Sequence, residues 1–226
     1  MWQVIIGTGL AIALGALLTR HAIASSRRRR AESGRLLDAA AALFEQSRIS
    51  EGATAGTHVL TGRYRGSDAE VKMVADTLPL RKLPSLWLMV TLPGPMPVKA
   101  TLDLMMRPAG PTTFSNFDHL SVTVPTPAGF PKDAVIRTDD AIQMPDPGLV
   151  ARHLRHFEGR HGKELLITPK GLRIVMLAGE ADRARYGVFR QADFSDITVA
   201  PDMIADCLDL LMDLRDDIKA WHRNPA

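Results

Sequence analysis

The sequence predicts an α+β protein: an N-terminal transmembrane helix, then a mainly antiparallel sheet with flanking helices and a C-terminal amphipathic helix. Three observations predict this class. The chain opens on an uncharged stretch, its middle holds short apolar segments separated by proline and glycine, and its end repeats apolar residues at steps of three and four. With 226 residues, 46% of them hydrophobic and 23% charged, the chain can form one domain with an appendage.

The opening stretch, residues 2–18, contains no charged side chain. As a helix rising ~1.5 Å per residue it would span about 25 Å, the lower limit for crossing a hydrocarbon core. Arg20 and His21 can extend their polar ends towards the interface and lengthen the span. We therefore predict a transmembrane anchor over residues 1–24.

Three other interpretations of this stretch were weighed. Gly7 and Gly9 follow a strand-like segment, as in a dinucleotide fingerprint, but Ile12 stands where the third glycine is required. A cleaved signal peptide is disfavoured because its positive charge should precede the apolar region, whereas here it follows. A buried helix of a soluble protein is the remaining alternative.

Four consecutive arginines, Arg27, Arg28, Arg29 and Arg30, follow the anchor. Guanidinium groups are costly to move across a bilayer, so this flank should stay in the cytoplasm with the N-terminus outside. We expect a single-pass protein of the cell (inner) membrane with a cytoplasmic C-terminal domain. The same arginines can contact anionic lipid, at ~1 kcal/mol per basic residue near the surface.

The net charge of +3 is concentrated near the N-terminus. Residues 1–35 hold six arginines and one acid, whereas residues 36–226 hold 22 basic and 24 acidic side chains. A domain that binds duplex nucleic acid normally needs a basic face. We expect the membrane and a protein partner, and no nucleic acid.

The predicted organisation has three parts: the anchor over residues 1–24, a basic juxtamembrane segment, amphipathic helix and linker over residues 25–57, and a globular α+β domain over residues 58–226. The amphipathic helix is placed at 32–48 and the linker at 50–57. Strands are predicted at 59–65, 70–74, 86–92 and 98–107, the last two paired with each other. The segment 108–147 should be mostly irregular, with one short strand at 120–124.

The C-terminal half carries clearer signals. Asp146 and Pro147 predict the start of a short helix that ends before Gly159. Residues 164–168 and 172–177 predict a hairpin around Pro169-Lys170-Gly171, and a strand is predicted at 185–190. Pro201 starts a helix whose apolar residues share one seam, namely Ile204, Cys207, Leu211, Leu214, Ile218 and Trp221.

Candidate chemistry is sparse. His153, His156 and His161 form the best metal candidate, but a structural or solvated interpretation is favoured because no carboxylate completes a familiar spacing. Cys207 lies on the apolar seam and should be inert. No catalytic motif is found in the sequence, so we assign no catalytic residue, metal ligand or cofactor.

These observations favour a membrane-anchored protein whose cytoplasmic domain is an interaction or scaffolding module. A membrane-tethered enzyme using the His153 region and a sensor of anionic lipid are the alternatives.

Overall fold

A computed structural model describes residues 15–17, 19–20, 24, 36–52, 57–76, 83–108, 112–157, 161–189 and 192–223. Within these ranges no helix is long and apolar enough to cross a membrane. Most of the predicted anchor, and Arg27 to Arg30, lie outside the described residues. The anchor and its orientation therefore stay predictions.

The described chain forms one nine-stranded antiparallel sheet, which confirms the predicted α+β class with a large antiparallel sheet and a C-terminal helix. The strand order across the sheet is β1-β2-β3-β4-β9-β8-β5-β7-β6. The strands are β1 (Glu45–Glu51), β2 (His58–Tyr64), β3 (Ser67–Asp76), β4 (Ser85–Pro93), β5 (Leu102–Met106), β6 (Val122–Val124), β7 (Ala134–Thr138), β8 (Gly162–Thr168) and β9 (Gly171–Glu180).

Within the described residues one helix is long and the others are short. They are α1 (Gly148–Ala151), α2 (Arg183–Phe189) and α3 (Pro201–Arg223), with 3₁₀ turns at Ala39–Leu43, Phe117–His119 and Leu154–Phe157. The long helix α3 is the predicted C-terminal helix, and it packs on the central strands β4 and β9. We call the side of the sheet that α3 covers the main face and the other side the second face.

The main face holds the principal core. Because strand side chains alternate between faces, every second residue of the central strands points to α3, as Leu86, Leu88 and Val90 do on β4. The predicted seam of α3 is buried in this core from Ile204 to Ile218, and Trp221 is partly buried against it. The helix is thus held by apolar burial along almost its whole length.

Polar contacts fix α3 to the β2–β3 hairpin. The Tyr64 hydroxyl donates to Oδ1 of Asp209 at 2.7 Å, and the Arg65 guanidinium approaches the same carboxylate at 3.1 Å. Six residues further along α3, Nη1 of Arg215 donates to the Ser67 hydroxyl at 2.8 Å. These bonds set the position of the helix along the strands.

Two predicted elements are wrong near the ends of the body. The helix predicted at 32–48 ends as a 3₁₀ turn at Leu43, and β1 follows from Glu45, so the sheet includes residues that were assigned to the juxtamembrane segment. The strand predicted at 185–190 is instead α2. Oδ1 of Asp182 accepts a hydrogen bond from the Arg185 amide at 2.6 Å, which stabilises a helix start there.

The middle of the chain also differs from expectation. The predicted pairing of 86–92 with 98–107 is wrong, since β4 pairs with β9 and β5 lies between β7 and β8. The segment 108–147 contains β7 as well as the short β6. By contrast, the predicted β8–β9 hairpin is confirmed, with Thr168 opposite Gly171 at the turn.

Candidate functional site: a buried charged cluster on the second face

A row of aligned residues crosses the second face through all nine strands. Its members come from consecutive strand pairings and are mostly polar, with charges of alternating sign: Arg48, Thr61, Glu70, Thr91, Arg173, Leu166, Asp103, Arg137 and Thr123. Cross-strand neighbours of opposite charge stabilise a sheet. The row is exposed or half-buried towards β1 and most buried at Asp103.

Two carboxyl groups lie side by side at the buried end of this row. Asp103 on β5 is 1% exposed and Glu164 on β8 is 0% exposed. Because Asp103 pairs with Leu166 and Glu164 pairs with Met105, the two acids are diagonal neighbours on the same face. The strands, rather than any loop, therefore bring the acids together.

Burial disfavours the charged form of both acids. It raises the pKa of Asp103 well above its usual range, and the neighbouring Glu164 raises it further. Burial also raises the pKa of Glu164, although Arg173 and Ser115 act in the opposite direction. The bonded Arg173 guanidinium thus favours the charged form of Glu164, whereas burial together with that charge favours the neutral form of Asp103.

Two arginines complete the cluster. Nη2 and Nε of Arg173 donate to Oε2 of Glu164 at 2.9 and 3.2 Å. Arg137 on β7 stands directly opposite Asp103, with its guanidinium carbon 4.8 Å from the centre of the Phe117 ring. The charges thus alternate along the sheet, which lowers the cost of burying them.

An irregular segment, residues 112–121, lies over the cluster, and we call it the strap. The Phe114 ring sits 5.4 Å from the ring of Trp87, and the Ser115 hydroxyl donates to Oε1 of Glu164. Phe114 and Phe117 join a small apolar group on the sheet, made of Trp87, Met89, Met105 and Val175. The strap therefore covers the buried end of the cluster, where Asp103 and Glu164 lie.

Three polar atoms near the strap have no hydrogen-bond partner among the described residues. They are Nε1 of Trp87, Oδ1 of Asp103 and Nε of Arg137, all fully buried. An unsatisfied buried group costs about 1–3 kcal/mol. The second face is thus the part of the described sheet where polar groups are least well satisfied by the chain itself.

The chemistry that this cluster can perform is limited by access. A pair of carboxyls with separated pKa values is the usual arrangement for acid–base work. No role was predicted for Asp103 or Glu164 from the sequence. The strap covers both groups, so they cannot reach a substrate while it is closed. In the sequence Asp103 stands between Leu102 and Leu104 and Glu164 precedes Leu165, and neither position belongs to a recognised motif.

Of the three candidate histidines, the structure describes the side chains of His153 and His161. His153 is buried, and its Nε2 lies 2.9 Å from Oδ2 of Asp217 on α3. Nη1 of Arg152 donates to the other oxygen of Asp217 at 3.2 Å. His161 is exposed, and the side chain of His156 lies outside the described part. No three metal-binding side chains come together in the described ranges.

A concave region lies at the end of β5 on the main face of the sheet. Its volume is about 290 Å³, and Met106, Leu154 and Phe157 form its apolar floor, with Arg107 and Lys132 at its rim. Nζ of Lys163 donates to the carbonyl oxygens of Met106 and Arg107 at 2.7 and 2.8 Å. The buried lysine therefore serves to hold this turn of the backbone.

Comparisons with known proteins give no family. No protein-family model matches the sequence, and no curated protein is similar to it. One solved structure that matches this chain is the crystal structure of the mycobacterial trehalose monomycolate transport factor A, TtfA, at a TM-score of 0.38 and 10% sequence identity, covering 86% of this chain and 94% of that chain. A likeness this remote carries no function over.

Proposed function

We propose that this chain is a single-pass membrane protein whose cytoplasmic α+β body is an interaction module, and that the module binds a protein partner on its second face. The observation that carries the proposal is that the long helix covers one face of the sheet, while the other face presents an aligned, half-exposed row of charged and small side chains. The proposed partner surface carries both charge signs, which complements this row.

The half-exposed sector of the row lies on β2, β3 and β4. Thr61, Glu70 and Thr91 are aligned there, and Nζ of Lys72 lies 3.7 Å from Oε1 of Glu70. Val59 and Val74 are half-buried beside them. A flat surface that mixes polar and apolar side chains is typical of non-obligate protein interfaces.

A crosslinking experiment tests the surface. The photoreactive amino acid p-benzoylphenylalanine replaces Thr61 or Thr91 on the second face, or the exposed Asp213 on α3 as a matched control, and whole cells are irradiated. We expect the same crosslinked product from positions 61 and 91 and no such product from position 213. Glu70→Lys should reduce the yield of this product. Equal adducts from all three positions would contradict a face-specific partner.

The anchor is tested separately. A fluorescent protein that folds in the cytoplasm and an alkaline phosphatase active outside it are fused in turn after Ala226. We expect fluorescence in the membrane fraction and no phosphatase activity, because the arginine cluster should remain inside. A fluorescent product in the soluble fraction, or an active phosphatase, would overturn the topology.

The lipid-sensor alternative predicts a different result. If Arg27 to Arg30 carry the function by themselves, binding to vesicles containing phosphatidylserine should fall steeply with salt and disappear when the four residues are changed to glutamine. The second-face substitution Glu70→Lys should then have no effect in cells.

A further inference from the structure

The strap is attached to the sheet by side chains. Phe114 packs on Trp87, Ser115 bonds to Glu164, and the Phe117 carbonyl accepts from Nη1 of Arg137 at 3.3 Å. The backbone–backbone hydrogen bonds of the described residues 112–121 stay within the strap, as in the 2.9 Å bond from the His119 amide to the Asn116 carbonyl. The strap can leave the face without breaking the pairing of any strand.

The surface that the strap covers is incompletely satisfied. Trp87 Nε1 and Arg137 Nε are buried donors with no partner, and Oδ1 of Asp103 is a buried oxygen with none in the described chain. Opening of the strap would let water reach these atoms and recover part of that cost. The unsatisfied atoms therefore weaken the closed position of the strap.

We propose that the strap is a detachable cover over a docking surface, and that a segment of a partner protein replaces it. That segment carries two aromatic side chains three positions apart, with a hydroxyl residue after the first and an acidic residue after the second. The strap itself defines this chemistry, since Phe114, Ser115, Phe117 and Asp118 make these contacts now. The inference rests on the proposed function, of which it specifies the site and the kind of partner.

The occupant's aromatic side chains fill the places of Phe114 and Phe117, against Trp87 and under Arg137. Two buried aromatic residues are strong anchors at an interface. The hydroxyl meets Glu164 and the acid meets Arg137, whose Nη1 now lies 3.5 Å from Oδ1 of Asp118. The docking surface continues directly into the half-exposed row at Arg173 and Thr91.

The strap competes with any occupant from within the same chain, at an effective concentration in the millimolar range. Loosening the strap should therefore raise the apparent affinity for a segment supplied in trans. The probe is a fluorescein-labelled synthetic peptide with the sequence of residues 112–121, Thr-Thr-Phe-Ser-Asn-Phe-Asp-His-Leu-Ser. Its control is the same peptide with both phenylalanines changed to alanine.

The protein is the full-length chain in detergent micelles. The test variant carries Phe114→Ala and Phe117→Ala, and the control carries Phe194→Ala, which removes a half-buried aromatic side chain that packs against the main-face core instead. We expect the peptide to bind the test variant at least about tenfold more tightly than the wild type or the control. A folded test variant that binds the peptide no better than the control would overturn the proposal.

A second measurement needs no variant. In hydrogen exchange of the wild-type protein, the strap amides should be at least about 100-fold less protected than the paired amides of β5 and β7, because local opening precedes global unfolding. Equal protection of strap and strands would overturn the proposal even if the test variant failed to fold. If both measurements gave the expected result but the cellular crosslink was not seen, the protein partner would be contradicted, whereas the detachable strap would be supported.

Discussion

Asp103 on β5 and Glu164 on β8 are diagonal neighbours on one buried face, and burial raises the pKa of both carboxyls. Each acid has an arginine on its other side, Arg137 across from Asp103 and Arg173 bonded to Glu164. The two acids are nevertheless not equivalent, because Glu164 also accepts a hydrogen bond from Ser115 of the strap. Their substitutions should therefore have different effects.

Replacing Asp103 by asparagine should make stability less dependent on pH. The folded-state pKa of Asp103 is raised above the ordinary 3.8, so the folded protein binds more protons than the unfolded chain from about pH 3.8 upwards to the raised pKa. The contribution of Asp103 to the free energy of unfolding must then fall as pH rises through this window. Urea unfolding of wild type and Asp103→Asn at several pH values should show the variant gaining relative to the wild type as pH rises. A constant difference would contradict this assignment.

Replacing Glu164 by glutamine should be costly at neutral pH. The change leaves the Arg173 guanidinium, which is largely buried, without its anionic partner. Breaking a buried pair from one side costs 3–5 kcal/mol, and the 20% exposure of Arg173 reduces our expectation to about 2–3 kcal/mol. The double variant with Arg173→Met should recover part of the loss in urea unfolding. Full additivity of the two changes would show that the pair is uncoupled.

The fold was predictable where local signals and long-range contacts agree. The β8–β9 hairpin turns at Pro169-Lys170, and the C-terminal helix repeats apolar residues on one seam, so both were predicted correctly. The predicted partner of β4 was wrong because pairing depends on the whole sheet, in which β9 takes the place next to β4. Sequence neighbours across a short proline-rich connection are not always sheet neighbours.

The charged cluster could not be predicted because its members are far apart in sequence. Asp103, Glu164 and Arg173 come from three strands, and their register alone places them together. Each residue looked like an ordinary polar position of a half-buried strand. The spacing of the histidines is visible in the sequence, whereas the partner of His153 is Asp217, 64 residues further along the chain on α3.

Replacing Asp217 by asparagine should test this histidine contact. Asp217 joins His153 and Arg152 to α3. Hydrogen bonds to a charged group contribute about 1.5–3 kcal/mol each when buried, so we expect the free energy of unfolding to fall by about 1–2 kcal/mol at this half-buried site. The matched control is Asp216→Asn, whose side chain is 71% exposed and should change stability by less than about 0.5 kcal/mol. Equal effects of the two changes in urea unfolding would argue against the contact.

Cys207 should react only when the protein opens. Burial raises the pKa of its thiol to about 12, and its side chain lies in the main-face core, so both ionisation and access are suppressed. We expect labelling by a thiol-specific chromogenic disulfide to be slow in the native protein and rapid in guanidinium chloride. Rapid labelling of the native protein at neutral pH would show that α3 does not cover this position.

Two turn glycines should differ in their tolerance of alanine. Gly66 and Gly171 both have positive φ, 74° and 145°, and a side chain at either position is strained. A Cβ at position 66 meets nothing within 4 Å, whereas one at position 171 would collide with the carbonyl oxygen of Leu92 and lie 3.1 Å from Cα of Pro93. Gly66→Ala should therefore cost about 1–2 kcal/mol from the backbone conformation alone.

Gly171→Ala should cost more, about 3 kcal/mol or above, because the neighbouring atoms belong to the backbone of β4 and cannot move without disturbing the β4–β9 pairing. Urea unfolding of the two variants measures the difference directly. Gly171 is the first residue of β9 and pairs with both β4 and β8. If Gly171→Ala cost no more than Gly66→Ala, the turn would have to lie further from Leu92 in solution, and the pairing of the central strands would be less tight at this end.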